Sequence, residues 1–320
     1  MKPLAGLVVL SLLWGASFMF VKVILDAMVP VAVGWVRLGG GALFLAAVVA
    51  AQRATLPLEA RVWGWMAVVA VFSSALPFVL IAWGTQHIDS GLSAILIGAM
   101  PLWVALLAMV FLPEERVTGA RSVGVILGFV GVVIVLGPDL AGVALGDVQG
   151  QVAVLGAALC YAIGAVTVRS RLLGLSPTAL AGWQTILAFV FVTPFALREG
   201  VPDPRALSLE VLLASAALGV LASGVAFLIY YWLLSNVGAT YASLVTYLTP
   251  VTAVFWGYVV LDEVLHPLVL PGFLVIVVGI ALVNRQPQTR LRGSGGRRRR
   301  WTRARRASEE DATASPDRPA

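Results

Sequence analysis

Two basic side chains, Lys22 and Arg37, lie inside long apolar runs, whereas every Asp and Glu falls between such runs, at their ends or in the C-terminal segment. A cation held at membrane depth with no acid beside it is suited to receiving a carboxylate or another anionic group. Lys22 is near the end of its run, where it either snorkels to the interface or faces a pathway. Arg37 is deeper and either faces a pathway or pairs with a buried backbone carbonyl. Uncharged polar and aromatic residues fall at similar depth: Trp14, Ser17, Ser74, Tyr161, Gln184, Ser223, Thr246 and Tyr247. Hydroxyls, amides and aromatic faces can bind a zwitterion or a neutral solute in a lipid-excluded space. Each is equally suited to helix packing. Pro101 and Pro250 each remove a helical hydrogen bond and free a carbonyl. That carbonyl is met either by a ligand or water in a central pathway or by a neighbouring helix.

This is the chemistry of recognition and passage. His87 and His266 stand alone, and no cluster with zinc spacing, phosphate-cradling loop or Ser, His and Asp set occurs within the apolar runs. No catalysis, metal or cofactor is expected. Proton-coupled export of cationic drugs calls for a membrane-embedded acid, and none is present at mid-depth. An anionic or uncharged cargo fits better.

The elements that must position these residues are helices in a bilayer. Hydrophobic residues make up 60% of the chain and charged residues 12%, against roughly 45–50% and about 25% in soluble domains. A hydrocarbon core of about 30 Å needs roughly 20 apolar residues as helix. Ten stretches qualify, near 4–25, 29–50, 62–86, 91–112, 119–137, 151–169, 177–197, 209–235, 238–261 and 267–284. They are continuously apolar, which favours helices over barrel strands. The opening MKPLAGLVVLSLLWGAS also has the form of a signal peptide. An internal repeat that uses its Trp14 and Lys22 favours a retained first helix.

That repeat pairs Ser74, Phe78, Trp83, Pro101 and Glu114 with Ser223, Phe227, Trp232, Pro250 and Glu263, each 149 positions on. In a chain rich in Ala, Val, Leu and Gly, the Trp, Pro and Glu pairs carry most of the weight. Trp14 pairs with Tyr161, Lys22 with Arg169 and Arg37 with Gln184 at an offset of 147. Arg37 against Gln184 is the place where the halves differ in charge. Five spans per half is an odd number, so the second half enters the membrane inverted, with a site expected near the midplane where the halves meet. Gly124, Gly128 and Gly131 in span five, and Gly272 and Gly279 in span ten, make flat faces for packing within one protomer or in a homodimer.

Loop charges set the orientation. Arg53, Arg61, Arg116, Arg121, Arg169 and Arg171 fall on one side, and only Arg198 and Arg205 on the other. The positive-inside rule then places both termini in the cytoplasm, in a multi-pass protein of the cytoplasmic membrane. The segment 285–320, with ten Arg between 285 and 306 and Trp301 among them, is expected to be disordered. It is either a topology anchor or a contact for anionic lipid. Nucleic acid is not an expected partner. Cys160 is the only cysteine, which excludes an internal disulfide.

Three segments carry a resemblance: LLWGASFMFVK and GLSAILIGAMPLWVALLAMVFLPEERVTGARSVGVILGFVGVVIVLG in the first half, and GATYASLVTYLTPVTAVFWGYVVLDEVLHPLVLPGFLVIVVGIALV in the second. The chain resembles the drug/metabolite transporter superfamily of the type built from two EamA domains. The resemblance implies an all-α membrane protein of ten helices in two inverted five-helix repeats, 4–137 and 151–284, joined by an extracytoplasmic connection over 138–150. It also implies a cavity open alternately to each side, and export or exchange of amino acids or related small metabolites. Glu114 and Glu263 are recurrent landmarks of that pattern, read either as gate residues or as structural pins at a helix N-terminus. A sugar or nucleotide derivative or a drug as cargo, and a channel or membrane scaffold, are the alternative readings.

Overall fold

The computed structural model describes residues 2–56, 59–111, 119–142, 145–172, 174–201, 207–237, 239–242 and 244–284. Expectations that rest on Glu114, Arg116, Arg205 or the Arg-rich segment beyond 284 lie outside the described residues.

Among the described residues the chain is helical, with no strand. The ten apolar stretches become α1 Pro3–Leu25, α2 Pro30–Gln52, α3 Ala60–Thr85, α4 Ser90–Phe111, α5 Gly119–Gly142, α6 Leu145–Arg171, α7 Pro177–Glu199, α8 over 209–237, α9 Val245–Leu261 and α10 Val269–Asn284. Seven of them, α1 to α4 and α6 to α8, are long and apolar enough to cross a bilayer, and apolar parts of the other three are shorter. The protein is an all-α, multi-pass membrane protein.

Local signals explain where helices begin. Pro3, Pro30 and Pro177 occupy first-turn positions, where the missing N–H costs nothing. Ser176 and Ser208 cap α7 and α8 by accepting from Ala179 N at 3.2 Å and Val211 N at 3.3 Å. Helices α5 and α6 run to Gly142 and from Leu145, well into the connection expected over 138–150. A helix satisfies its own backbone on either side of the lipid boundary, so nothing obliges it to stop where apolar residues do.

Three interruptions bear on function. In α3 and α8 the regular helix passes through π turns, Val71–Ala75 and Ala217–Val225. In α4 the helix breaks at Gly98 and Ala99, just before Pro101. The ninth span, expected from 238, begins as a separate turn at Ala239–Ala242 before α9 proper.

Packing follows the repeat. Exchanging each helix for the one five places away maps α2–α7 onto itself, α1–α9 onto α6–α4, α3–α6 onto α8–α1 and α2–α8 onto α7–α3, and all these contacts are present. Helices α2 and α7 run antiparallel: Trp35 Nε1 donates to Thr193 Oγ1 at 3.0 Å, and Thr178 Oγ1 donates to Gln52 Oε1 at 2.8 Å. The glycines of α5 and α10 meet within the protomer, where a Cβ on Gly279 would lie 2.6 Å from Gly128 Cα and one on Gly131 would lie 2.8 Å from Gly272 O.

Candidate functional site

Helix α2 carries Arg37 into the interior at 6% exposure, and among the described residues no Asp or Glu is buried. Arg37 Nε donates to Ser223 Oγ at 3.1 Å, and its guanidinium carbon lies 3.8 Å from the ring centroid of Phe78. The arginine is therefore held by a hydroxyl from α8 and an aromatic face from α3, which leaves its charge uncompensated by a carboxylate among the described residues. Cation–π contact and one hydrogen bond orient the group without neutralising it. Tyr161 of α6 packs against the core cluster that holds Phe78 and Ala75.

Ser223 sits in the π turn of α8 and its hydroxyl donates to Leu218 O at 3.2 Å, five residues back. Ser74 occupies the matching π turn of α3, is 0% exposed, and its hydroxyl has no hydrogen-bond partner among the described residues. Gln184 of α7, the counterpart of Arg37, is 4% exposed. Turns of this kind insert a residue into a helix and recur at functional sites.

A second aromatic group adjoins the first. Trp14 lies 5.4 Å from Tyr230 and 6.4 Å from Phe227, and Phe227 also packs with the cluster that holds Phe78 and Tyr161. Ser17 Oγ turns back to Trp14 O at 2.6 Å and helps shape α1 rather than presenting its proton to the interior. Arg37, Tyr161, Ser223 and Trp14 thus come from four helices and are linked through Phe78 and Phe227, while Ser74 directly precedes Ala75 of the same cluster. Tyr247 packs elsewhere, against the core cluster that includes Leu96, Leu102 and Ile276. Thr246, beside it on α9, is on that same helix. Pro250 borders the break in α4, where a Cβ on Gly98 would come within 3.3 Å of its ring, and Pro101 follows that break.

Lys22 reaches the end of α3 and the turn that follows it. Its Nζ donates to Thr85 O at 3.0 Å and Ile88 O at 2.9 Å, filling the carbonyls left open at the end of α3. Glu263 caps the start of α4, accepting from Ser90 N at 2.9 Å, Ser90 Oγ at 2.7 Å and Gly91 N at 3.2 Å. An acid placed just before α10 is expected to serve α10, but Asp262 is left-handed with φ 53° and turns the chain back toward α4. Both residues pin the same α3–α4 turn.

Phe78, Phe227 and Tyr230 are the residues that sequence reasoning did not place at the site. The signal for the first two is the 149-residue pairing, in which the Trp, Pro and Glu pairs carry most of the weight. A separate groove of about 580 Å³ on α2 and α7, lined by Trp35, Gly39, Leu43 and Phe189, is almost wholly apolar and offers no polar handle.

The sequence profile of the EamA-like transporter family matches residues 1–137 and 148–285. Among similar proteins, Uncharacterized transporter YoaV of Bacillus subtilis is 24% identical over 280 residues, spanning 87% of this chain and 95% of its own. The Probable terminal-alkyne amino-acid exporter of Streptantibioticus cattleyicolor is 26% identical over 294 residues, 91% of this chain and 96% of its own. A protein of known crystal structure superposes with a TM-score of 0.61 at 19% identity, covering 88% of this chain and 97% of that one, a likeness of fold alone.

Proposed function

This chain belongs to the EamA-like transporter family, and from that premise we propose that it exports an amino acid or a related small metabolite bearing a carboxylate across the cytoplasmic membrane. It does so as a secondary transporter by alternating access. The carrying observation is Arg37, buried and oriented by Ser223 and Phe78 with no buried acid among the described residues. A permanent cation in that setting lowers its energy when an anionic group arrives, and the cost of leaving it unmatched falls on the empty carrier.

In this reading the two halves, 4–137 and 151–284, are inverted about the membrane plane, with both termini cytoplasmic. The exchange of helix contacts between the halves and the loop arginines support it. The name of the Streptantibioticus protein supports an amino acid as cargo. The chain binds and moves its substrate without transforming it.

Counterflow in proteoliposomes tests the proposal. Purified protein is reconstituted with a trapped amino acid inside, and uptake of the labelled amino acid is followed across a panel. Uptake stimulated by internal substrate is the expected result. Flux indifferent to internal substrate indicates a channel, and counterflow confined to sugars or nucleotide derivatives removes the amino-acid assignment.

A further inference from the structure

The two π turns are chemically unequal. Ser223 Oγ accepts from Arg37 Nε at 3.1 Å and donates to Leu218 O at 3.2 Å. Ser74, its counterpart 149 positions earlier, is as deeply buried and does neither. A buried hydroxyl with no partner is uncommon in native structures and costs about 1–3 kcal/mol. Such a cost persists where another state of the protein relieves it.

The repeat assigns Ser74 a donor, Gln184. Gln184 stands to Arg37 as Ser74 stands to Ser223, and α7, which carries it, packs on the π turn that holds Ser74. Its amide N–H can do for Ser74 what Arg37 Nε does for Ser223. The residue equivalent to Leu218 is Val69, whose carbonyl Ser74 does not engage here. One half therefore holds its α2/α8 pairing closed while the other holds the equivalent α7/α3 pairing open.

We propose that the two pairings form alternately: Arg37 on Ser223 in the state described here, and Gln184 on Ser74 in the opposite one. This rests on the alternating-access reading above, since inverted halves exchange conformations between the two end states. The swap makes the states close in energy, because each satisfies one serine and strands the other. It also gives them unequal appetite for an anion, because Arg37 is released from Ser223 only in the second state. A carboxylate that binds the released guanidinium favours that state by mass action, so the cargo drives its own passage.

The test needs no substrate. In a Cys160→Ala background, spin labels at Gln86 and Glu199, exposed at one end of the bundle, and at Arg53 and Arg171 at the other, report the two end states as distance populations. Ser74→Ala removes the acceptor used only in the opposite state and should enrich the distances of this structure about three- to tenfold. Ser223→Ala should deplete them by a similar factor. Gln184→Leu should act in the same direction as Ser74→Ala, and the double variant should show no further shift. Shifts in one direction for both serine variants, unchanged populations, or a single population throughout would overturn the swap. Counterflow on the same preparations separates the two ideas: intact counterflow with unmoved populations removes the swap and leaves the carrier standing.

Discussion

Glu263 and Ser90 are 173 positions apart, yet the carboxylate of one closes on both the amide and the hydroxyl of the other, at 2.9 and 2.7 Å. The contact joins the end of α9 to the start of α4, two helices from different halves. A carboxylate at a helix N-terminus satisfies orphan donors and meets the positive end of the dipole. Glu263→Ala is expected to cost about 2–3 kcal/mol, the range of charge-assisted hydrogen bonds lost from a partly buried site. Glu263→Gln keeps one acceptor and should cost less. Thermal unfolding in detergent reads both, and a Glu263→Ala protein that melts with the wild type would remove the cap from the account of stability.

Gly257 makes room for that carboxylate. A Cβ there would collide with the Glu263 carboxylate and lie 3.0 Å from Ser90 Oγ. Gly257→Ala should therefore reproduce most of the loss seen in Glu263→Ala, even though alanine is otherwise the better helix former. Because both changes break the same contact, the double variant should be little worse than either alone. Additive losses would show that the glycine serves another purpose.

Lys22 holds the other side of the same turn through Thr85 O and Ile88 O. Lys22→Met keeps the apolar stem and drops the two donors, with an expected cost of about 1–2 kcal/mol. The turn between α3 and α4 is short and shared, so Lys22→Met and Glu263→Ala should couple by at least about 0.5 kcal/mol in a double-mutant cycle. Independent effects would mean that the turn does not act as a unit.

The spans were legible because lipid imposes a length and a composition that a chain cannot disguise, and because Pro3, Pro30 and Pro177 mark helix starts. Arg37, Ser74, Ser223 and Tyr161 were legible as polar residues at membrane depth. Their grouping was not, since it depends on π turns that leave no trace in composition. Phe78 was visible as half of a repeated pair, but nothing in an apolar run distinguishes a ring that faces a guanidinium from one that faces lipid. Glu263 was recognised as a landmark and matched to the wrong helix, because its direction is set by one left-handed residue, Asp262. Lys22 was expected either to snorkel or to face a pathway, and the carbonyls it fills come from a helix end 63 residues away.

Glycine pairs between α5 and α10 set a distance that side chains cannot. A Cβ on Gly279 would stand 2.6 Å from Gly128 Cα and N and 2.7 Å from Gly124 O, all backbone atoms that cannot rotate aside. Gly279→Ala should force the helices apart at a cost of about 1–3 kcal/mol. Gly64 in α3 is the control, with nothing within 4 Å of the added carbon. Gly64→Ala should be neutral or stabilise by up to about 1 kcal/mol through helix propensity. Equal effects at the two positions would mean that the close approach of α5 and α10 carries no energy.

Arg37 makes the sharpest functional prediction because its two contacts ask for different properties of the side chain. The hydrogen bond to Ser223 uses Nε, which lysine lacks, and the 3.8 Å contact with Phe78 is made by the guanidinium. Arg37→Lys retains charge and loses orientation; Arg37→Gln loses charge and installs the residue found at the matching place in the other half. In counterflow, the half-saturation for a carboxylate substrate should rise about 10- to 100-fold in Arg37→Gln, the equivalent of one charge-assisted hydrogen bond, and less in Arg37→Lys. The comparison that isolates charge is an amino acid against its amide, which keeps size and shape. The wild type should prefer the acid, Arg37→Gln should lose that preference, and Phe78→Leu should weaken handling of the acid by the smaller amount that a cation–π contact supplies. Retention of the preference for acid over amide in Arg37→Gln would place carboxylate recognition elsewhere on the pathway, and Arg37 would then be a residue that holds α2 to α8 and α3.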